Sequence, residues 1–175
     1  MIIYLLRRDG IVSDEAAKHA GGKYGFFQRL KVSGTGSPIV YYQHGLKEFD
    51  QVARYSKETN AVSFEILREG YLVRFIKRNK GYAAIFRFKE TNMLFLKVFK
   101  VIAIHYGIEK ERDAAILMVD AAGKKMLFDV PHYKYPFFRR YLEKRAYKNY
   151  LKIYRSSEEP VQSSQEIWQK LRLSY

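Results

Sequence analysis

Hydrophobic and polar positions alternate most clearly in the middle of the chain. In YLVRFIKR (71–78) and YAAIFRFK (82–89), charged residues recur within apolar, β-branched and aromatic runs, the spacing of half-buried strands. Asn79-Lys80-Gly81 between them suits a three-residue hairpin loop, with Gly81 where a positive φ is needed. MLFLKVFKVIAI (93–104) is long enough for one bent strand or two, and the charged spacer EKERD (109–113) reads as an exposed turn. AILMVD (115–120) and KMLFDV (125–130) then form a second hairpin around Ala121-Ala122-Gly123.

The period changes in YPFFRRYLEKRAYKNYLKIYRS (135–156). Helical spacing gathers Phe138, Leu142, Ala146, Tyr150 and Ile153 on one stripe, with Pro136 suited to the first turn. Arg140, Lys144, Arg145, Lys148, Lys152 and Arg155 fall on the opposite arc, and Arg139 sits at the stripe's edge, where its stem packs while its head reaches water. This is the pattern of a long amphipathic helix that closes a core. Cations at its end, Lys148, Lys152 and Arg155, would also complement the helix dipole. Beyond it, SSEEPVQSSQ (156–165) reads as a linker. Ser163 and Glu166 have capping-box spacing for a short helix carrying Ile167, Trp168 and Leu171. That tail either docks on its own domain or serves as a partner-binding segment centred on the only tryptophan.

Before residue 60 the pattern is broken by glycine. Seven of the eleven glycines lie there, in GGKYG (21–25) and SGTGSP (33–38) among others. Short strands are expected at Ile2–Leu6 and Ile39–Tyr42, and Leu46, Phe49 and Ala53 are spaced for one or two helical turns. The expected organisation is a Gly-rich segment over 1–60, a β-rich core with its capping helix over 61–155, and a linker with a short helix over 156–175. A chain of 175 residues suits one domain with an appendage.

Composition adds two constraints. Thirty-two Lys and Arg against 18 Asp and Glu leave a net charge of +14, which predicts attraction to a polyanion. Residues 71–89 hold Arg74, Lys77, Arg78, Lys80, Arg87 and Lys89 without an acid. Residues 139–155 hold seven basic residues and Glu143, so each segment carries +6. The candidate anion-binding residues are therefore Lys77, Arg78, Lys80, Arg87 and Lys89 on the hairpin, and Lys144, Lys148 and Lys152 on the helix. The chain has no cysteine, which removes thiolate and Cys-zinc chemistry and fits a reducing, cytoplasmic location. MIIYLLRRDG places its apolar run before its basic pair, the reverse of a secretory signal, and VIAIHYGI is too short to span a bilayer.

No motif for catalysis stands out. The histidines, His19, His44, His105 and His132, have no metal-ligand spacing, and His105 within an apolar strand reads as structural. Gly22-Lys23 is not a phosphate-binding P-loop, Gly34-Thr35-Gly36 is not a dinucleotide fingerprint, and no G-x-S-x-G elbow occurs. Asp120 with Lys124, and Glu65 with Glu69, lack the companions a metal-dependent nuclease needs. The expectation is a protein without cofactor or metal that is not an enzyme, an active site assembled from distant residues being the third alternative.

The order of strands, a final hairpin with a Gly-Lys turn and a long C-terminal helix resembles a pleckstrin-homology-like domain. The likeness is carried by AILMVDAAGKKMLFDVPHYKYPFFRRYLEKR (115–145) and the strands from Ala61 onward. The resemblance implies an α+β fold, a mainly antiparallel β barrel or strongly bent sheet closed by the C-terminal helix. It also implies a binding or scaffolding module. Some members grip phosphorylated head groups, and Lys77, Lys80, Arg87 and Lys89 look similar in kind. The partner expected is an anionic lipid head group or an acidic protein. The alternative is nucleic acid, with Tyr141 and Tyr147, off the helix's main stripe, as base-stacking rings.

Overall fold

The computed structural model describes residues 1–6, 11–31, 35–54, 60–77, 80–105, 108–144 and 151–155. Its strands are β1 (Ile2–Leu5), β2 (Val40–His44), β3 (Ala61–Ile66), β4 (Gly70–Lys77), β5 (Lys80–Arg87), β6 (Thr91–His105), β7 (Ile108–Ala121), β8 (Lys124–Val130) and β9 (Leu151–Arg155). Among the described residues four short helices accompany them: α1 (Asp14–Lys18), α2 (Phe26–Lys31), α3 (Lys47–Arg54) and α4 (Tyr135–Lys144).

All nine strands belong to one sheet, in the order β1-β5-β4-β3-β2-β8-β7-β6-β9. Every neighbouring pair is antiparallel except β6 and β9, which run parallel. β1 and β9 end the sheet, and no pairing joins them among the described residues, so the expected barrel does not form. The physical reason lies in β2. It is inserted between the β3–β5 meander and the β6–β8 meander, and so joins them side by side into one open, mixed sheet.

The long C-terminal helix is also corrected. α4 is described over 10 residues, Tyr135–Lys144, and Leu151–Arg155 is a strand, so no helix runs through to residue 155. Residues 145–150, including Ala146, Tyr147, Lys148 and Tyr150, lie outside the described residues. Pairing of Leu94 with Leu151 and of Leu96 with Ile153 puts Leu151 and Ile153 on one face, a period of two. The helical stripe had no place for Leu151, and that residue is where the two periods differ. Lys152 and Arg155 therefore complement no helix end; Arg155 Nη1 instead lies 3.3 Å from Asp113 Oδ2.

Both expected hairpins form, with local differences. Lys77 pairs with Lys80 as the closing pair of β4 and β5, and Gly81 lies inside the strand opposite Ile76 rather than in the loop. Ala122 (φ 50°) and Gly123 (φ 72°) make the β7–β8 turn, as the sequence indicates. EKERD is not a turn. Its alternation of sign is a strand pattern, and Asp113 pairs with Lys100 across β6 and β7 at 2.8 Å.

The main core lies on one face of the sheet, where α3 and α4 pack. Tyr42, Phe49, Phe64, Phe75, Phe128 and Phe138 are fully buried there, with Phe64 and Phe138 rings 5.8 Å apart. Phe138 and Leu142 of the predicted stripe are both buried, and so is Tyr141. On the opposite face, Ala16, Ala17 and Ala20 pack against Leu67, Leu72, Ala83 and Ile85. A third, smaller cluster of Phe99, Ala114 and Ile116 lies on the outer face of β6 and β7.

Candidate functional site: a basic cleft beside an exposed aromatic pair

The GGKYG loop is built by backbone docking. Ser13 caps α1, its Oγ accepting the Ala16 N–H at 3.1 Å, and the small side chains of Ala16, Ala17 and Ala20 let the helix lie close to the sheet. Gly21 (φ 77°) and Gly22 (φ 82°) then reverse the chain in the left-handed region that glycine occupies without strain. Their carbonyl neighbourhood captures the β3–β4 turn. Glu69 N–H donates to the Ala20 carbonyl at 2.9 Å, and Arg68 N–H donates to the Gly22 carbonyl at 3.1 Å. Gly70 completes the contact, because a Cβ there would lie 2.2 Å from the Phe86 carbonyl oxygen and 2.9 Å from Ala20 Cβ.

This docking creates an open cleft of about 600 Å³, lined by Asp14, Lys18, Lys23, Tyr24, Phe26 and Arg68 together with the glycines. Lys23 Nζ donates to the Val12 carbonyl at 2.6 Å and pairs with Asp14 at 3.1 Å, so it helps to hold the loop. Arg68 Nη2 donates to Gln28 Oε1 at 3.3 Å, an amide oxygen that also accepts the Gly25 N–H. Among the described residues, neither Lys18 nor Arg68 has a carboxylate partner. Beside the cleft stand Phe26 and Phe27, 72% and 77% exposed, with rings 5.5 Å apart edge to face. Ile11, next to the Val12 that Lys23 grips, is also exposed.

The sequence-predicted cations divide. Lys77 and Lys80 close the hairpin at one end, and Arg87 lies at the other, opposite Gly70. Seven residue steps along the strand separate Lys80 from Arg87, about 23 Å, so one head group cannot bridge them. Arg87 Nε donates to the His19 carbonyl at 2.6 Å, which ties Arg87 to the end of α1. Burial, followed by the Arg87 guanidinium, holds the His19 imidazole below the ordinary histidine range. Lys89 is exposed just beyond Arg87. Arg74, midway along β4, pairs with Glu65 at 3.0 Å. Lys152 is exposed on β9, seven strand-to-strand steps from β5 in the sheet order, and Lys144 is the last described residue of α4. Arg78, Lys148 and the tail residues Ile167, Trp168 and Leu171 lie outside the described residues.

Tyr141 is not a surface ring. It is 6% exposed, and its hydroxyl donates to the Thr35 carbonyl at 3.0 Å, with the Phe64 carbonyl at 3.4 Å. Lys18, Lys23, Arg68, Phe26 and Phe27 were not singled out from the sequence. One signal was available: residues 16–46 contain Lys18, Lys23, Arg29 and Lys31 and no acidic residue.

Among the described residues no cluster of three or more histidine and carboxylate side chains could hold a metal ion, and no helix is long and apolar enough to cross a membrane. Compared with known proteins, the chain matches no family model, no curated protein and no solved structure.

Proposed function

We propose that the protein is a non-catalytic binding module that docks on an anionic membrane surface through the face carrying the α1–α2 cleft. The observation that supports this reading best is the uncompensated charge of Lys18 and Arg68 at an open concavity. Both are solvent-exposed cations that line one cleft, brought there by backbone contacts, and free of carboxylate partners among the described residues. Lys23 adds a third cation, partly offset by Asp14. A basic residue near an anionic lipid surface contributes about 1 kcal/mol, and the excess of +14 over the chain steers the approach. Burial of Tyr141 removes one of the two rings on which base stacking was expected, which weighs against the nucleic-acid alternative.

Sedimentation with phosphatidylcholine vesicles, with and without phosphatidylserine, tests the reading. Binding is expected only with the anionic lipid and should weaken as salt rises. Lys18→Gln with Arg68→Gln removes two cations without touching the core and should lower affinity about 30-fold. Equal binding to both vesicle types, or an unchanged double variant, refutes it. A mixed-sequence oligonucleotide that outcompetes the vesicles would return the nucleic-acid alternative to the lead.

A further inference from the structure

Lys18 and Arg68 account for attraction to an anionic surface but leave Phe26 and Phe27 without a role. Two adjacent phenylalanines at 72% and 77% exposure are among the largest apolar surfaces the described residues present to solvent. They pack against each other edge to face, and neither belongs to any buried cluster. Exposed apolar groups rimmed by charge mark interaction sites, because leaving them in water sacrifices the gain from burying them. Here the rim carries three cations, Lys18, Lys23 and Arg68, against one carboxylate, Asp14, which pairs with Lys23. Aromatic side chains beside basic ones are the arrangement with which a surface-bound segment enters the boundary between head groups and acyl chains.

We propose that Phe26 and Phe27 insert into the bilayer while the cleft takes the phosphate of an anionic lipid, with Lys18 and Arg68 as its contacts. The inference rests on the membrane reading above and specifies how that surface is held. The loop suits the task because its scaffold is fixed. Gly22 and Ala20 carbonyls hold the Arg68–Glu69 turn, Lys23 ties the loop to Val12, and Gln28 links Gly25 to Arg68. The rings are therefore carried at a defined position relative to the cations instead of on a free tether. Charge complementarity selects a lipid surface over a second copy of this chain, whose own excess of +14 would repel it.

The test uses the full chain. Phe26→Ser with Phe27→Ser should weaken binding to phosphatidylcholine–phosphatidylserine vesicles by at least about tenfold, with the binding that remains lost at moderate salt. Because both rings are exposed, the far-UV spectrum and melting temperature should not change. For insertion itself, Phe27→Trp is placed in a Trp168→Phe background, so that a single indole reports. Its fluorescence should shift to the blue on vesicles and be quenched by lipids brominated in the acyl chains. Inorganic phosphate at the concentration of the lipid phosphate should displace none of the bound protein. An unquenched reporter, a serine double variant that binds like the parent, or full displacement by free phosphate overturns the inference, and the membrane reading survives the first two of these. Failure of the unsubstituted protein to bind anionic vesicles at all defeats both.

Discussion

Asp129 offers a quantitative check on the packing of the sheet. It lies on β8 between Tyr41 of β2 and Ile116 of β7, and burial pushes its carboxyl up to about 6. An aspartate in the unfolded chain titrates near 3.9, so the difference of roughly two units corresponds to about 3 kcal/mol. The sign follows from the raised folded value. The contribution favouring the fold is fully present below about pH 4 and is lost as pH rises through about 6, where the half-buried carboxyl ionises. Asp129→Asn keeps the shape and removes the titration. The variant should therefore gain stability relative to the parent as pH rises from 4 to 8, by about 3 kcal/mol across that range. Urea unfolding followed by circular dichroism at each pH measures the difference directly. Other titrating groups, such as Asp113, held low by its hydrogen bond from Lys100, shift both proteins alike and cancel. A difference that stays constant from pH 4 to pH 8 would show that Asp129 is solvated, and the packing of β2 against β8 would need revision.

Three further substitutions probe contacts that position the cleft or bury Tyr141. Tyr141→Phe leaves the Thr35 carbonyl without its hydroxyl donor and should lower unfolding free energy by about 1–2 kcal/mol in chemical denaturation; a variant as stable as the parent would contradict the buried hydrogen bond. Gly70→Ala forces a Cβ to 2.2 Å from the Phe86 carbonyl and should destabilise by about 3 kcal/mol, whereas Gly36→Ala, whose Cβ would meet nothing within 4 Å, should melt with the parent.

Local periodicity was a good guide wherever the backbone partner was close in sequence. The β4–β5 and β7–β8 hairpins, the α3 turns with buried Leu46 and Phe49, and the Phe138–Leu142 stripe of α4 were all legible, because each depends on residues within a few turns or one loop. The failures involve distant partners. Nothing near LKIYR announces that its hydrogen-bonding partner is Leu94–Val98, more than 50 residues earlier, and a basic segment following a helix continued the helical pattern by default. EKERD misled for a related reason. Its density of charge suggests a turn, whereas its alternation places Glu109, Glu111 and Asp113 on one face of β7 and Lys110 and Arg112 on the other.

The same distinction governs the site. Counting charge along the sequence grouped Lys80 with Arg87 because they fall in one 19-residue window, yet a strand keeps them about 23 Å apart. Lys18 and Arg68 are 50 positions apart and share a cleft, because two backbone N–H groups of the β3–β4 turn find carbonyls in the Gly21–Gly22 reversal. Strand geometry disperses neighbouring charges, whereas loop docking gathers remote ones. A net charge of +14 favours polyanions in general and selects none of them. The choice falls to uncharged groups. The phenolic ring of Tyr141 is buried in the core; Tyr133 and Phe137 are exposed, and Phe26 and Phe27 are the exposed rings that stand beside the cleft. On the membrane proposal, such rings next to exposed cations would meet the layered chemistry of a lipid surface, phosphate outside and hydrocarbon within.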